Sequence, residues 1–207
     1  MLNIAQTLPV YVVDDDESVR DSLLFMLEGH DFDVKSYADG QQFLDSVDIQ
    51  RAGCVILDSR MPKLRGQQVH QVLKQANSPL AVIFLTGHGD VPMAVDSLKA
   101  GAVHFFQKPV NGAALIEAIN DCIRVSQDNL DALMIKAIFD TLTARERDIL
   151  QLIVEGKRNL KIADELCIAT RTVEVHRASL MKKLNAKTVA ELTYAYGRYV
   201  AHSPNNT

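Results

Sequence analysis

The sequence predicts an α/β fold, a five-stranded doubly wound parallel sheet, followed by an all-α domain of four helices. Three observations carry this reading. Short apolar runs rich in β-branched residues alternate with helical patterns over residues 1–124, the order that builds βαβ units and a parallel sheet. From about residue 141 the pattern is helical only. Charge changes sign at the same place: residues 1–124 carry a net of −6, residues 125–140 a net of −2 and residues 141–207 a net of +4.

The elements follow in order. Strand 8–13 ends in Val10-Tyr11-Val12-Val13, and helix 17–28 shows an apolar face of Val19, Leu23, Leu24 and Leu27, with Gly29 as its stop signal. Strand 32–36, helix 39–47, the strand ending at Asp58 and helix 65–76 come next. Strand 80–85, helix 91–100 closed by Gly101, strand 103–106 and a helix from Gly112 complete a (βα)5 order, flavodoxin-like in type. Ile116, Ile119, Ile123, Leu130, Leu133, Met134, Ala137 and Ile138 keep an approximate three-to-four spacing. Residues 125–140 contain neither Gly nor Pro, so they read as a helical connector. Four helices are then expected near 143–155, 159–166, 171–184 and 188–200. Thr143 with Glu146 makes a capping box and Gly156 ends the first of them. The tail, residues 201–207, reads as frayed.

Composition narrows the class. The hydrophobic fraction of 47% is that of an ordinary globular protein. Three cysteines without CxxC spacing argue against a disulfide framework and for a reducing, cytoplasmic compartment. No basic, apolar leader opens the chain, and no run of about 18 apolar residues indicates a membrane span.

In a doubly wound sheet the carboxyl ends of the strands line the ligand crevice. Asp14 and Asp15, Asp58, Thr86 and Lys108 all fall at such ends. Three carboxylates at one rim repel one another unless a cation is present. Mg²⁺ prefers oxygen ligands, and Asp15 and Asp58 with a backbone carbonyl suit it, with Asp14 acting directly or through a water. An Asp carboxylate is also a competent nucleophile toward a phosphoryl group. Lys108 would neutralise phosphoryl oxygens and Thr86 would donate to one. Taken alone, Asp14-Asp15-Asp16-Glu17 is equally an acidic helix N-terminus; the weight comes from four segments at successive strand ends.

In the basic third, helices 159–166 and 171–184 are separated by a short turn, which is helix-turn-helix spacing. Val173, Leu180 and Leu184 form the inward face of the second helix. Arg171, Arg177, Lys182 and Lys183 can approach phosphates, Glu174 suits a cytosine amino group and Val175 a thymine methyl. A helical interaction domain with a solvated basic face is the competing reading.

Val13-Asp14-Asp15-Asp16-Glu17, Leu57-Asp58-Ser59-Arg60-Met61-Pro62, Leu85-Thr86-Gly87-His88-Gly89-Asp90 and Gln107-Lys108-Pro109 resemble the receiver domain of two-component response regulators. The resemblance implies that Asp58 is the phosphoacceptor. It implies Mg²⁺ binding by Asp14, Asp15, Asp58 and the Arg60 carbonyl, and switch roles for Thr86, Lys108 and Phe105. It further implies a cis Lys108–Pro109 bond, and side chains at Arg60 and His88 that tune phosphoryl lifetime. Ser59 stands where many relatives carry an apolar residue. Leu142-Thr143-Ala144-Arg145-Glu146-Arg147 and Arg171-Thr172-Val173-Glu174-Val175-His176-Arg177 resemble the LuxR-type helix-turn-helix of the NarL/FixJ response regulators, Glu174 pointing to the FixJ branch. DNA contacts are then expected from Arg171, Thr172, Glu174, Val175, Arg177, Ala178 and Lys182. Cys167 departs from the family, which commonly places Gly there for a left-handed cap.

The implied organisation is a receiver over 1–124, a helical linker over 125–140 and a LuxR-type domain over 141–207. The implied partners are a sensor histidine kinase, double-stranded promoter DNA, RNA polymerase and, on phosphorylation, a second copy of the chain. The family analogy runs to regulators of oxygen-linked or anaerobic respiratory genes, tetrathionate response among them. A regulator rather than an enzyme is expected. Two rivals remain at this point: a phosphohydrolase using Asp14-x-Asp16, and a receiver acting through protein contacts alone.

Overall fold

The computed structural model describes residues 8–87 and 91–202, with the side chains of 91–93 and 202 excepted. His88 and the tail beyond 202 therefore lie outside the described residues. Contacts divide the chain into two compact units, the boundary in sequence falling between Leu130 and Asp131.

The first unit contains β1 (Val10–Val13), α1 (Glu17–Glu28), β2 (Val34–Tyr37), α2 (Gly40–Ser46), β3 (Cys54–Asp58), α3 (Gly66–Gln75), β4 (Ala81–Thr86), α4 (Val91–Lys99) and β5 (His104–Gln107). The helix α5 (Gly112–Asp140) begins in it. All strands are parallel, in the order β2-β1-β3-β4-β5. Buried strands read as continuous apolar runs because both sheet faces are covered. Alternate residues serve opposite faces. Val10, Val12, Ile56, Ile83 and Leu85 pack with Leu23 and Leu27 of α1 and Leu115 and Ile119 of α5. Tyr11, Val13, Val55, Leu57 and Phe84 pack with Phe43 of α2 and Val69 and Leu73 of α3. Each such fully buried Leu, Val or Phe contributes about 1.5–3 kcal/mol. Ser126 adds a polar pin at the amino ends of the strands: its wholly buried Oγ accepts from Gly53 N and donates to Pro79 O, both at 2.8 Å. The first unit accordingly runs past residue 124, to Leu130.

The second unit holds the remainder of α5 and α6 (Ala144–Val154), α7 (Asn159–Glu165), α8 (Thr170–Lys183) and α9 (Val189–His202). Its core gathers Phe139, Leu142, Ile149, Leu150, Ile153, Ile162, Val173, Leu180 and Leu192. The capping box is present: Thr143 Oγ1 accepts from Glu146 N at 3.2 Å and Thr143 N donates to Glu146 Oε2 at 2.8 Å.

Three consecutive helices close in the same way. After α6, α7 and α8, a left-handed residue stands at Gly156, Cys167 and Asn185. The following amide bonds back five residues, as Ile168 N does to Ala163 O at 3.0 Å. Cys167 thus keeps, at φ 52°, the turn that glycine would make more cheaply; the cost is about 1 kcal/mol. Gly29 closes α1 as the sequence leads one to expect. It caps the helix at φ −65°, in right-handed conformation, and a left-handed residue follows at Asp31, two positions on.

Candidate functional site

Chain order reverses between β1 and β3, which are neighbours with β2 on one side and β4 on the other. That reversal opens the crevice in which doubly wound folds bind ligands. Asp14 follows β1, and Asp58 ends β3. Both are buried, at 1% and 5% exposure. Lys108, just beyond β5, reaches across to donate to Asp14 Oδ2 at 2.5 Å and to Asp58 Oδ1 at 2.8 Å. The Lys108–Pro109 bond is cis. Lys108 N also donates to Thr86 O at 2.7 Å, fixing β5 to the end of β4.

The electrostatics follow from burial and from one cation serving two anions. Burial raises the Asp14 carboxyl above the usual carboxylate range, against the opposing bond from Lys108. Burial pulls Lys108 down, but its bonds to Asp14 and Asp58 outweigh this and raise it. Each carboxylate oxygen has one donor among the described residues: Asp16 N (3.0 Å) and Lys108 for Asp14, Lys108 and Arg60 N (2.7 Å) for Asp58. A carboxylate accepts about four hydrogen bonds, so acceptor capacity remains on both. On β4, Thr86 is 1% exposed, and among the described residues its Oγ1 has no hydrogen-bond partner; nor has the buried Ser59 Oγ.

The expected residues are not all brought together. Asp15 is exposed, and among the described residues no three His, Cys, Asp or Glu side chains are grouped to hold a metal. Asp14 and Asp58 close on Lys108 instead. Their donor set still suits a hard divalent cation: oxygen only, two carboxylates against one ammonium, with Asp15 next to Asp14 in the chain. Arg60 meets Asp58 through its backbone N–H. Phe105 is half-buried on β5 and packs against the core on the α2–α3 side of the sheet. Asp16 leaves the site to cap α1, its Oδ1 accepting from Ser18 N at 2.9 Å and from the Ser18 hydroxyl at 2.6 Å. The Asp16 carboxylate that the phosphohydrolase reading would use is thus engaged as the cap of α1.

Two site residues escaped the sequence reading. Arg20 Nη1 donates to the carbonyls of Asp14 (2.8 Å) and Asp15 (3.1 Å), clamping the loop that carries the acids. Gly66 opens α3 against β3: a Cβ there would stand 2.3 Å from Asp58 O. A glycine at a predicted helix start was the only signal for the second, and nothing local marked the first.

In the second unit α7 and α8 form the expected helix-turn-helix pair. Arg171, Glu174, Val175, Ala178 and Lys182 are exposed on α8, Thr172 and Arg177 partly so, while Val173 and Leu180 are buried. Arg171 Nη1 bonds Glu174 Oε2 at 3.1 Å. Lys183 corrects the expectation of a phosphate-facing cation. Its Nζ donates to buried Glu146 at 2.7 Å and to Thr141 O at 3.1 Å, because α6 presents a carboxylate to that side of α8. Ser179 Oγ donates to the same carboxylate at 2.7 Å.

Comparison with known proteins agrees with both units. Residues 10–120 match the response regulator receiver domain and residues 140–195 match the luxR family of bacterial regulatory proteins. The chain belongs to the NarL/FixJ family of response regulators. It is 45% identical over 183 residues to the tetrathionate response regulatory protein TtrR of Salmonella typhimurium, covering 88% of this chain and 89% of that one. It is 40% identical to the transcriptional regulatory protein FixJ of Bradyrhizobium diazoefficiens, over 88% and 91% of the two chains. Among solved structures it resembles the response regulator StyR, with a TM-score of 0.72, 36% identity and coverage of 93% and 100%. As a NarL/FixJ regulator, the chain is a two-component, DNA-binding transcriptional response regulator. Among the described residues no helix is long and apolar enough to cross a membrane.

Proposed function

We propose that this regulator is switched by phosphorylation of Asp58, and that the receiver then promotes dimerisation and promoter binding. The observation that carries the reading is one cluster: buried Asp58 bonded to Lys108, beside a buried Thr86 hydroxyl without a partner among the described residues. An Asp58 oxygen attacks the phosphorus of a phosphohistidine on the partner kinase. The P–N bond breaks as the acyl phosphate P–O bond forms, and the imidazole leaves with the electron pair and takes up a proton. Mg²⁺, held by Asp14, Asp15, Asp58 and the Arg60 carbonyl, would offset the negative charge of the phosphoryl oxygens. Lys108 turns from the carboxylate pair toward a phosphoryl oxygen, and Thr86 finds in another the acceptor it lacks.

These bonds are large enough to act as a switch. Charged hydrogen bonds are worth about 1.5–3 kcal/mol each, so two supply roughly 3–6 kcal/mol. Moving a two-state equilibrium from about 1:99 to about 99:1 takes roughly 5.5 kcal/mol. Phe105 follows Thr86 inward as the bistable element. In the dimer, two copies of α8 enter successive major grooves about one helical turn apart. Arg171, Thr172, Glu174, Val175, Arg177, Ala178 and Lys182 face the DNA there, and the bound dimer acts on RNA polymerase. The compartment is the cytoplasm, and tetrathionate or oxygen-linked respiratory control is the input to test first, on the resemblance to TtrR and FixJ.

The decisive experiment treats the full chain with acetyl phosphate and Mg²⁺. Wild type gains the phosphoryl label and retards promoter DNA more strongly; Asp58→Asn does neither. Labelling of Asp58→Asn at the wild-type rate would remove the core of this reading.

A further inference from the structure

The exposed residues of α8 fall on one stripe. Arg171, Glu174, Val175, Ala178 and Lys182 are exposed, and steps of three or four residues with one neighbour keep them on a single helix face. Val173 and Leu180 are buried on the opposite face. Two members of the stripe hold each other: Arg171 Nη1 donates to Glu174 Oε2 at 3.1 Å, with the side chains 86% and 47% exposed. Such an exposed pair adds little to stability. Attraction to the DNA backbone does not account for it either, because a carboxylate beside Lys182 repels the phosphates that the cations attract. An acid in this stripe gains only where it meets a donor. In the major groove the donors are the amino groups of cytosine and adenine.

The pair carries the complement of one base-pair edge. In the major groove guanine O6 and N7 accept and cytosine N4 donates. O6 and N4 stand one N–H···O bond apart, about 2.9 Å, close to the 3.1 Å between Arg171 Nη1 and Glu174 Oε2. On the reading that α8 enters the major groove, we infer that Arg171 and Glu174 act as one unit that reads a single G·C pair. The guanidinium fork donates to O6 and N7 of the guanine, and the Glu174 carboxylate accepts from N4 of the cytosine opposite. The bond to Glu174 takes one hydrogen of Arg171 Nη1, which leaves its other hydrogen and Nη2 for the fork, and the carboxylate keeps acceptor capacity. A T·A pair offers a similar central acceptor and donor, thymine O4 and adenine N6, but a methyl group replaces the N7 acceptor, so Nη2 loses its partner. The reversed pairs place a donor in front of the guanidinium. Glu174 also holds the guanidinium before DNA arrives, which lowers the ordering cost of binding. Arg171 thereby reads a base rather than a phosphate.

The test is selection of duplex DNA from a randomised pool by the full chain, with and without acetyl phosphate and Mg²⁺, followed by mobility shifts on the enriched site. The half-site should hold one G·C pair at which Arg171→Ala and Glu174→Ala both lose discrimination, each by about tenfold. Replacing that guanine by 7-deazaguanine, which lacks the N7 acceptor, should weaken wild type about tenfold and Arg171→Ala no further. Lys182→Ala should instead weaken binding to all sequences alike. Both paired side chains are exposed, so their variants should melt with wild type, which separates lost readout from lost folding. Equal losses on all sequences in Arg171→Ala, discrimination lost at different positions in the two variants, or an A·T pair at the shared position would each overturn the paired readout alone. No enriched sequence, or enrichment unchanged by every substitution on the stripe, would remove the docking of α8 and the paired readout with it.

Discussion

A lysine meets buried carboxylate in each unit of this chain, and the two clusters differ in what they leave unsatisfied. Glu146 is enclosed by Lys183, Ser179 and Thr143. Burial alone would raise its pKa, but these bonds outweigh it and hold the carboxyl at about 2. Asp14 and Asp58 share one ammonium, burial lifts Asp14, and the neighbouring Thr86 hydroxyl is unbonded. One carboxylate with several donors is a closed structural joint. Two carboxylates with one cation retain negative charge and acceptor capacity, which suits a site that must receive a metal and a phosphoryl group.

This contrast can be broken in several ways, beginning with the largest effect after loss of Asp58 itself. Glu146→Ala strands Lys183 and Ser179 and should destabilise the second unit by about 3 kcal/mol, measured by hydrogen exchange of α6 and α8. Phosphoryl uptake at the receiver should be unchanged; a stability loss under about 1 kcal/mol would mean the joint is ornamental. Gly66→Ala acts on the other cluster. Its Cβ would meet Asp58 O, so a cost of about 1–3 kcal/mol is expected, with slower labelling of Asp58; wild-type melting and labelling would show that α3 yields freely.

Acid sharpens the comparison further. Because the folded pKa of Glu146 lies below its ordinary value of 4.5, its contribution is complete above about pH 4.5 and fades as pH falls toward about 2. The second unit should therefore lose stability across that window, and Glu146→Gln should flatten the dependence. An unchanged slope in the variant would assign the acid sensitivity to other groups. The smallest effect belongs to Thr86→Val. It removes a hydroxyl with no partner among the described residues, so stability should stay within about 1 kcal/mol of wild type while phosphorylation-dependent DNA binding falls. A loss above about 2 kcal/mol would mean that the hydroxyl is already bonded before phosphorylation.

Much of the fold was legible because its determinants are local. Apolar period and β-branched runs placed all five strands and the helices between them. Thr143 and Glu146 announced their capping box three residues apart. The absence of Gly and Pro from 125–140 is matched by an unbroken α5. Local signals are ambiguous where two structures compete for one residue type. The acidic run 14–17 divides between Asp14 in the site and Asp16 at the helix cap. Lys183 looks like a phosphate ligand until α6 brings Glu146 beneath it.

The sequence by itself determined the elements, their order, the strand-end positions of Asp58, Thr86 and Lys108, and the helix-turn-helix spacing, because periodicity, caps and turns depend on neighbours within one or two helical turns. Only the tertiary structure decided which charges meet. Lys108 finds Asp14 and Asp58 across 94 and 50 residues of chain, Arg20 fastens the acidic loop, Gly66 lets α3 close on Asp58, and Ser126 pins α5 under the sheet. Those choices rest on strand order and close packing, which bring together side chains that no stretch of sequence holds side by side.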